Sequence, residues 1–151
     1  MVTALDSYRK IQDKFGLPHI ERLQTVFQFE VDDEFDIHEI RNEIGSRLFD
    51  FTERVIEPLL WSNHHCHIIE REMLSSPEGE ELFAMYKQIQ ALRWRNNLLT
   101  IKPDEASTAE WIRDMWAFWK TFEAIASNLC IRFSEGWKTL TFKEVNTEYQ
   151  G

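Results

Sequence analysis

TAEWIRDMWAFWKTFEAIASNLCIRF, residues 108–133, is the most apolar stretch of the chain. At about 100° per residue, Trp111, Ile112, Met115, Trp116, Phe118, Trp119, Phe122, Ile125, Leu129, Cys130 and Phe133 cover well over half of a helix circumference. A helix apolar on so many sides is enclosed by its neighbours or buried at a dimer contact. Ser107-Thr108-Ala109-Glu110 has the form of a capping box that would open it. A central helix over Thr108–Phe133 therefore predicts an all-α fold, an antiparallel bundle of four to five helices.

The rest of the chain supplies the neighbours. Leu5, Tyr8, Ile11 and Phe15 lie at helical spacing, and Gly16 followed by Pro18 ends that helix. Pro18 can open a short second helix carrying Ile20 and Leu23. Asp36-Ile37-His38-Glu39 resembles a capping box with Asp in the first position. From it Ile37, Ile40, Ile44, Leu48, Phe51 and Val55 form one apolar stripe. Pro58 predicts a kink or a new start, with a further helical segment to about Leu74. Ser76 and Pro77 restart the chain in a helix whose buried side holds Leu82, Met85, Tyr86, Ile89 and Leu92. Two short pieces alternate as strands do: Phe27, Phe29 and Val31, and Leu140 with Phe142. This admits a minor two-stranded ribbon of 25–31 with 138–145 beside the helices.

With 151 residues, 43% hydrophobic and including 11 Phe and 6 Trp, the chain has core material for a single helical domain over 1–151, with a polar tail from about 138. It shows no signal-peptide pattern and no membrane-length apolar run. The two cysteines, 64 positions apart, form no CxxC pair, so a reduced, cytoplasmic protein is expected. The net charge of −9 is concentrated between Glu30 and Glu57, where ten acids face three arginines. Phosphate binding needs the opposite sign, so nucleic acid is not an expected partner.

His64-His65-Cys66-His67 with Glu70 is the densest set of chemistry-bearing side chains. Imidazole, thiolate and carboxylate bind transition metals. Treated as one helix continuous from Pro58, the stretch points Leu59, Cys66, Met73 and Leu74 inward, spreads the three histidines around the axis and leaves Cys66 a buried thiol, as Cys130 is. Glu70 falls within the inward arc, and of the possible ligands only His67 with Glu70, and His64 with His67, can then share a site. A metal reading takes His64, His67 and Glu70, completed by Glu123 from the last helix, with Zn or Fe/Mn as the ion. The favoured alternative needs no cofactor: Glu70 pairs with Arg93, an ion pair that sets helix register. Asp32 to Glu43 mimics a calcium loop but places Ile37 where the sharp turn needs glycine. Arg93-Trp94-Arg95 lacks the wider basic patch of a nucleic-acid surface.

No phosphate loop, nucleophile elbow or HExxH motif is present. The expected function is a non-enzymatic interaction or assembly module with an acidic surface, binding a protein partner or a second copy of itself as a homodimer. The alternatives are a metal-binding bundle and a small-ligand protein with a pocket among the tryptophans.

Overall fold

The structure, a computed structural model, describes residues 2–32 and 35–142. Among these the chain forms only helices: α1 (Ala4–Phe15), α2 (Ile20–Phe27), α3 (Ile37–Phe51), a π turn (Thr52–Ile56), α4 (Glu57–Trp61), α5 (His65–Glu72), α6 (Ser76–Ile101) and α7 (Glu105–Thr139). Because α3, the π turn and α4 run on without interruption, the described residues make six helical rods, not four or five.

Local chemistry sets most of the boundaries. Thr3 and Asp6 form a reciprocal capping box on α1, and Gly16 at φ 65° ends it. Asp36 caps α3 by accepting from the amides of His38 and Glu39. Ser75, one residue earlier than the sequence suggests, caps α6 in a capping box with Glu78. Asp104, not Ser107, caps α7: its carboxylate accepts from the Ser107 amide at 2.8 Å. The last helix therefore begins three residues earlier than expected and runs to Thr139.

Among the described residues the ribbon does not form. Residues 25–27 belong to α2, 28–32 have no regular structure, and 138–139 belong to α7; 143–145 lie outside the described residues. Gln28 is the reason on the first side. It ends α2 in the left-handed region at φ 52°. That reversal swings Phe29 back to stack on Phe35, with ring centroids 5.5 Å apart. Phe27 and Phe29 are both buried, but around a turn and not along a strand.

Pro58 does not break its helix either. Its missing N–H and its ring conflict with the carbonyl four residues back. The backbone widens just before it: Thr52–Ile56 form the π turn, and Glu57 N–H donates to the Thr52 carbonyl. The extra residue in that turn rotates everything downstream. The apolar stripe is buried only through Leu48; burial then passes to Thr52 and Ile56, and Val55 is left exposed.

The core is centred where α3, α6 and α7 meet. Trp111 on α7 is fully buried and donates its indole N–H to the Leu92 carbonyl of α6 at 2.9 Å. Its ring reaches α3 at Gly45, where a Cβ would sit 3.5 Å from Trp111 Cη2 and 3.2 Å from Phe49 Cε2. Arg41 on α3 is 3% exposed and crosses to α6, donating to the Asn96 carbonyl at 3.0 Å and the Asn96 amide oxygen at 2.5 Å. No carboxylate pairs with it among the described residues, its Nε has no partner, and burial pushes the guanidinium down from its ordinary range. α1 and α2 close one side of the core: Tyr8 donates to the Pro18 carbonyl at 2.7 Å, and Phe27 packs on Trp119 with centroids 4.9 Å apart. α7 is enclosed only over its first half. Its last fully buried residue is Phe122, and Ile131 faces solvent.

Two outcomes test this packing. Gly45→Leu forces a branched side chain between α3 and Trp111, and is expected to cost about 1–3 kcal/mol in urea denaturation. Separately, the Asp104 carboxyl is held below its ordinary value of 3.8, chiefly by the hydrogen bonds from Ser107. A carboxyl lowered in the folded state stabilises above its unfolded value and loses that contribution as pH falls through its folded value. Asp104→Asn should therefore be less stable than wild type at neutral pH. The gap in urea midpoints should narrow as pH drops below 3.8.

Candidate functional site

The segment with the histidines is built from two short helices instead of one. α4 ends at Trp61, Ser62 leaves the helical region, and α5 begins at His65 with His64 at its N-cap. The break resets the helical phase. Ile69 becomes the buried residue of α5, and Cys66, expected to point inward with Leu59, is exposed. Cys130 is exposed as well, because the second half of α7 is not enclosed.

Polar contacts hold α5 in place. Arg71 reaches back to the end of α4, donating to the Leu59 and Ser62 carbonyls, each at 2.7 Å. Those carbonyls lie at a helix C-terminus, where a cation is favoured. Ser62 Oγ accepts from the His64 amide at 3.1 Å and lies 2.8 Å from His67 Nδ1. On the other side, Arg132 of α7 donates to the Met73 carbonyl at 2.5 Å and pairs with Glu78. Met73 in turn lies against Gly136, where a Cβ would stand 2.6 Å from its sulfur.

Within this frame Cys66, His67 and Glu70 each offer a ligand atom, and these atoms lie within 4.8 Å of one another. With Cys66 at 0°, His67 is at about 100° and Glu70 at about 40°, so the carboxylate stands between the other two. Glu70 also accepts from the Trp137 indole at 3.3 Å.

The other expected ligands are elsewhere. The His64 ring is 6.0 Å from that of His67, centroid to centroid, but His64 does not belong to the group of three. Glu123 precedes Trp137, the α7 residue that touches Glu70, by about 21 Å of helix at 1.5 Å per residue. It lies instead in an open groove of about 410 Å³ between α2 and α7, with Arg22, Trp116, Trp119 and Lys120. This groove is also where a pocket among the tryptophans would have to be. Trp111 is core, and Trp119 carries a buried indole N–H with no partner.

The Glu70–Arg93 pair does not form. Arg93 meets Glu53 and, at 3.5 Å, Glu57. These two acids, four residues apart, share a side of their helix, and Tyr86 adds a hydrogen bond to Glu57 at 3.1 Å. Glu53, which by sequence falls off the apolar stripe, is thereby the partner that the arginine finds.

A second feature lies on α6. Its inner side buries Leu82, Met85, Ile89, Leu92 and Leu99. Its outer side exposes Phe83 (45%), Trp94 (70%), Leu98 (56%) and Ile101 (76%), and Trp61 of α4 (55%) packs edge-on against Phe83 with ring centroids 6.4 Å apart. Spacings of 11, 4 and 3 put the four α6 residues on one stripe. That spacing is visible in the sequence and is missed when only one apolar side of the helix is sought.

The chain matches no protein-family model, no curated protein and no solved structure. Among the described residues no helix is long and apolar enough to cross a membrane.

Arg71→Ala should release α5 from α4. Each lost hydrogen bond from a charged donor is worth about 1.5–3 kcal/mol. Hydrogen exchange at residues 65–72 should accelerate while amides of α3 and the first half of α7 keep their protection. Unchanged exchange in α5 would show that the arginine does not hold it.

Proposed function

We propose that this chain is a non-enzymatic assembly module that forms a homodimer through the outer side of α6. The observation that carries this reading is a helix apolar on two opposite sides, one of which the described residues leave largely exposed. Trp61, Phe83, Trp94, Leu98 and Ile101 hold on the order of 700 Å² of solvent-facing surface, given roughly 150–250 Å² for a large aromatic. The largest apolar patch of a typical monomer is about 300–600 Å². A standard interface takes about 800 Å² from each partner.

A second copy fits this stripe in charge as well as in character. Glu80 lies just before the stripe on α6 and Lys102 just past the helix end, both exposed. In an antiparallel pairing about a two-fold axis near Ala91, Glu80 of each copy faces Lys102 of the other, Phe83 of each comes beside Leu98 of the other, and Trp94 lies over the Lys87–Gln88 turn near the axis. Such an interface is isologous: one surface serves both subunits. The exposed indole of Trp94, near the middle of the stripe, has the character of an interface anchor. The acidic α3 segment plays no part in the contact, and on this reading keeps the dimer soluble.

Analytical ultracentrifugation of the full chain is expected to give a dimer at about 0.1 mM, where an interface of this size is populated. Trp94→Glu with Leu98→Glu should give a monomer with unchanged helical circular dichroism. Glu80→Lys should weaken the dimer about tenfold, and adding Lys102→Glu should restore it. A wild-type monomer at that concentration, or a dimer indifferent to Trp94 and Leu98, overturns the proposal.

A further inference from the structure

We propose that Cys66, His67 and Glu70 form a three-ligand site for a divalent transition-metal ion of the zinc class, with its fourth position open. The site differs from the one the sequence suggests, because Cys66 takes the place given to His64 and Glu123. It does not depend on α6 pairing.

The geometry comes from a single helical turn. Glu70 neighbours Cys66 at a spacing of four residues and His67 at a spacing of three, the two separations at which helix side chains meet. Ligand atoms around a tetrahedral zinc stand about 3.3–3.8 Å apart, since its bonds are about 2.0–2.3 Å long. The three atoms already lie within 4.8 Å of one another, so rotation of the side chains by about 1 Å closes the triangle. Three protein ligands and an open position is the arrangement of zinc sites that exchange a fourth ligand.

Two contacts orient the ligands from outside. Ser62 Oγ lies 2.8 Å from His67 Nδ1. With Nδ1 protonated and donating to that oxygen, Nε2 holds the lone pair for the metal. The same oxygen also accepts the His64 amide, as its two lone pairs allow. Trp137 donates to one oxygen of Glu70 and leaves the other for the ion. Donors of this kind fix ring and carboxylate orientation at metal sites and are worth about 10–100-fold in affinity. The turn they serve is tied to α4 by Arg71 and, through Met73, to α7 by Arg132, so the ligands are presented by a held helix.

The donor set selects the class of ion. Calcium and magnesium take oxygen ligands, whereas a thiolate and an imidazole together favour zinc and its transition-metal neighbours. Coordination replaces the S–H bond of Cys66 by a metal–sulfur bond and releases that proton to solvent. No oxidation or reduction accompanies the step. Cys66 is exposed and its two partners are half-buried, so the ion reaches the site from solvent without any helix moving.

The test uses the full-length protein without a histidine tag, stripped of metal under reducing conditions. Zinc is titrated against a chromophoric chelator, and cobalt(II) against the near-ultraviolet band that a thiolate–cobalt bond produces. One equivalent of each ion should bind, the cobalt complex should show the sulfur band, and zinc should raise Tm. Cys66→Ser should abolish the band, and both it and Glu70→Gln should weaken zinc binding at least 100-fold. Ser62→Ala should weaken it about 10–100-fold. His64→Ala and Glu123→Gln should leave affinity within about twofold, since neither belongs to the group. Circular dichroism establishes that each variant is folded. Absence of the sulfur band, or zinc affinity that depends on His64 while ignoring Cys66, overturns the proposal. Ultracentrifugation of the same samples separates this outcome from that for the dimer: zinc binding persists in the Trp94→Glu, Leu98→Glu variant.

Discussion

The indole of Trp111 holds three helices with one side chain. Its N–H reaches the Leu92 carbonyl of α6, and its ring fills the space that Gly45 leaves on α3. A buried indole must find an acceptor or lose the hydrogen-bonding energy it had in water. A helix carbonyl can supply one, since it has two lone pairs and its own helix uses one of them. That requirement fixes the rotation of α7 against α6 and its height along it. The ring then sets how closely α3 approaches. Once these three helices are in register, α1 and α2 have a defined surface to cover, and α5 has the far end of α7 to lean on.

Helix type and most helix ends were legible in the sequence because they depend on neighbouring residues. Asp36, Gly16 and Pro77 act within a turn of where they stand. What was not legible depends on events whose consequences travel. Pro58 announces trouble at its own position, but whether the chain kinks, stops or widens into a π turn is settled by what α6 offers it: Arg93, Tyr86 and Gln90 engage Glu53 and Glu57. A second break, at Ser62, resets the phase again. Carrying one helical wheel from Pro58 to Leu74 therefore turned Cys66 inward, with Glu70 on the same arc, where the structure exposes Cys66. The same error gave Glu70 an arginine that already had two partners. His67 and Glu70 were read correctly as neighbours because three residues within one unbroken turn are insensitive to both breaks.

Exposure was the harder quantity to read. Helical spacing marks Trp111, Leu92 and Cys130 alike as core, which holds for the first two and fails for Cys130. Periodicity tells which residues share a side; it does not tell how many sides find a neighbour. Among the described residues the outer side of α6 meets little beyond Trp61, and the last turns of α7 meet the chain on one side only, at Glu70 and Met73.

Arg41 makes the α3–α6 joint depend on its acceptors. The guanidinium is sealed between the two helices, bonded to neutral oxygens, with its Nε unpartnered. A buried donor that loses its acceptor costs about 1–3 kcal/mol, and more when it is charged. Truncating Asn96 alone leaves a charge inside the core short of an oxygen, so it weakens the joint more than truncating Arg41 and Asn96 together.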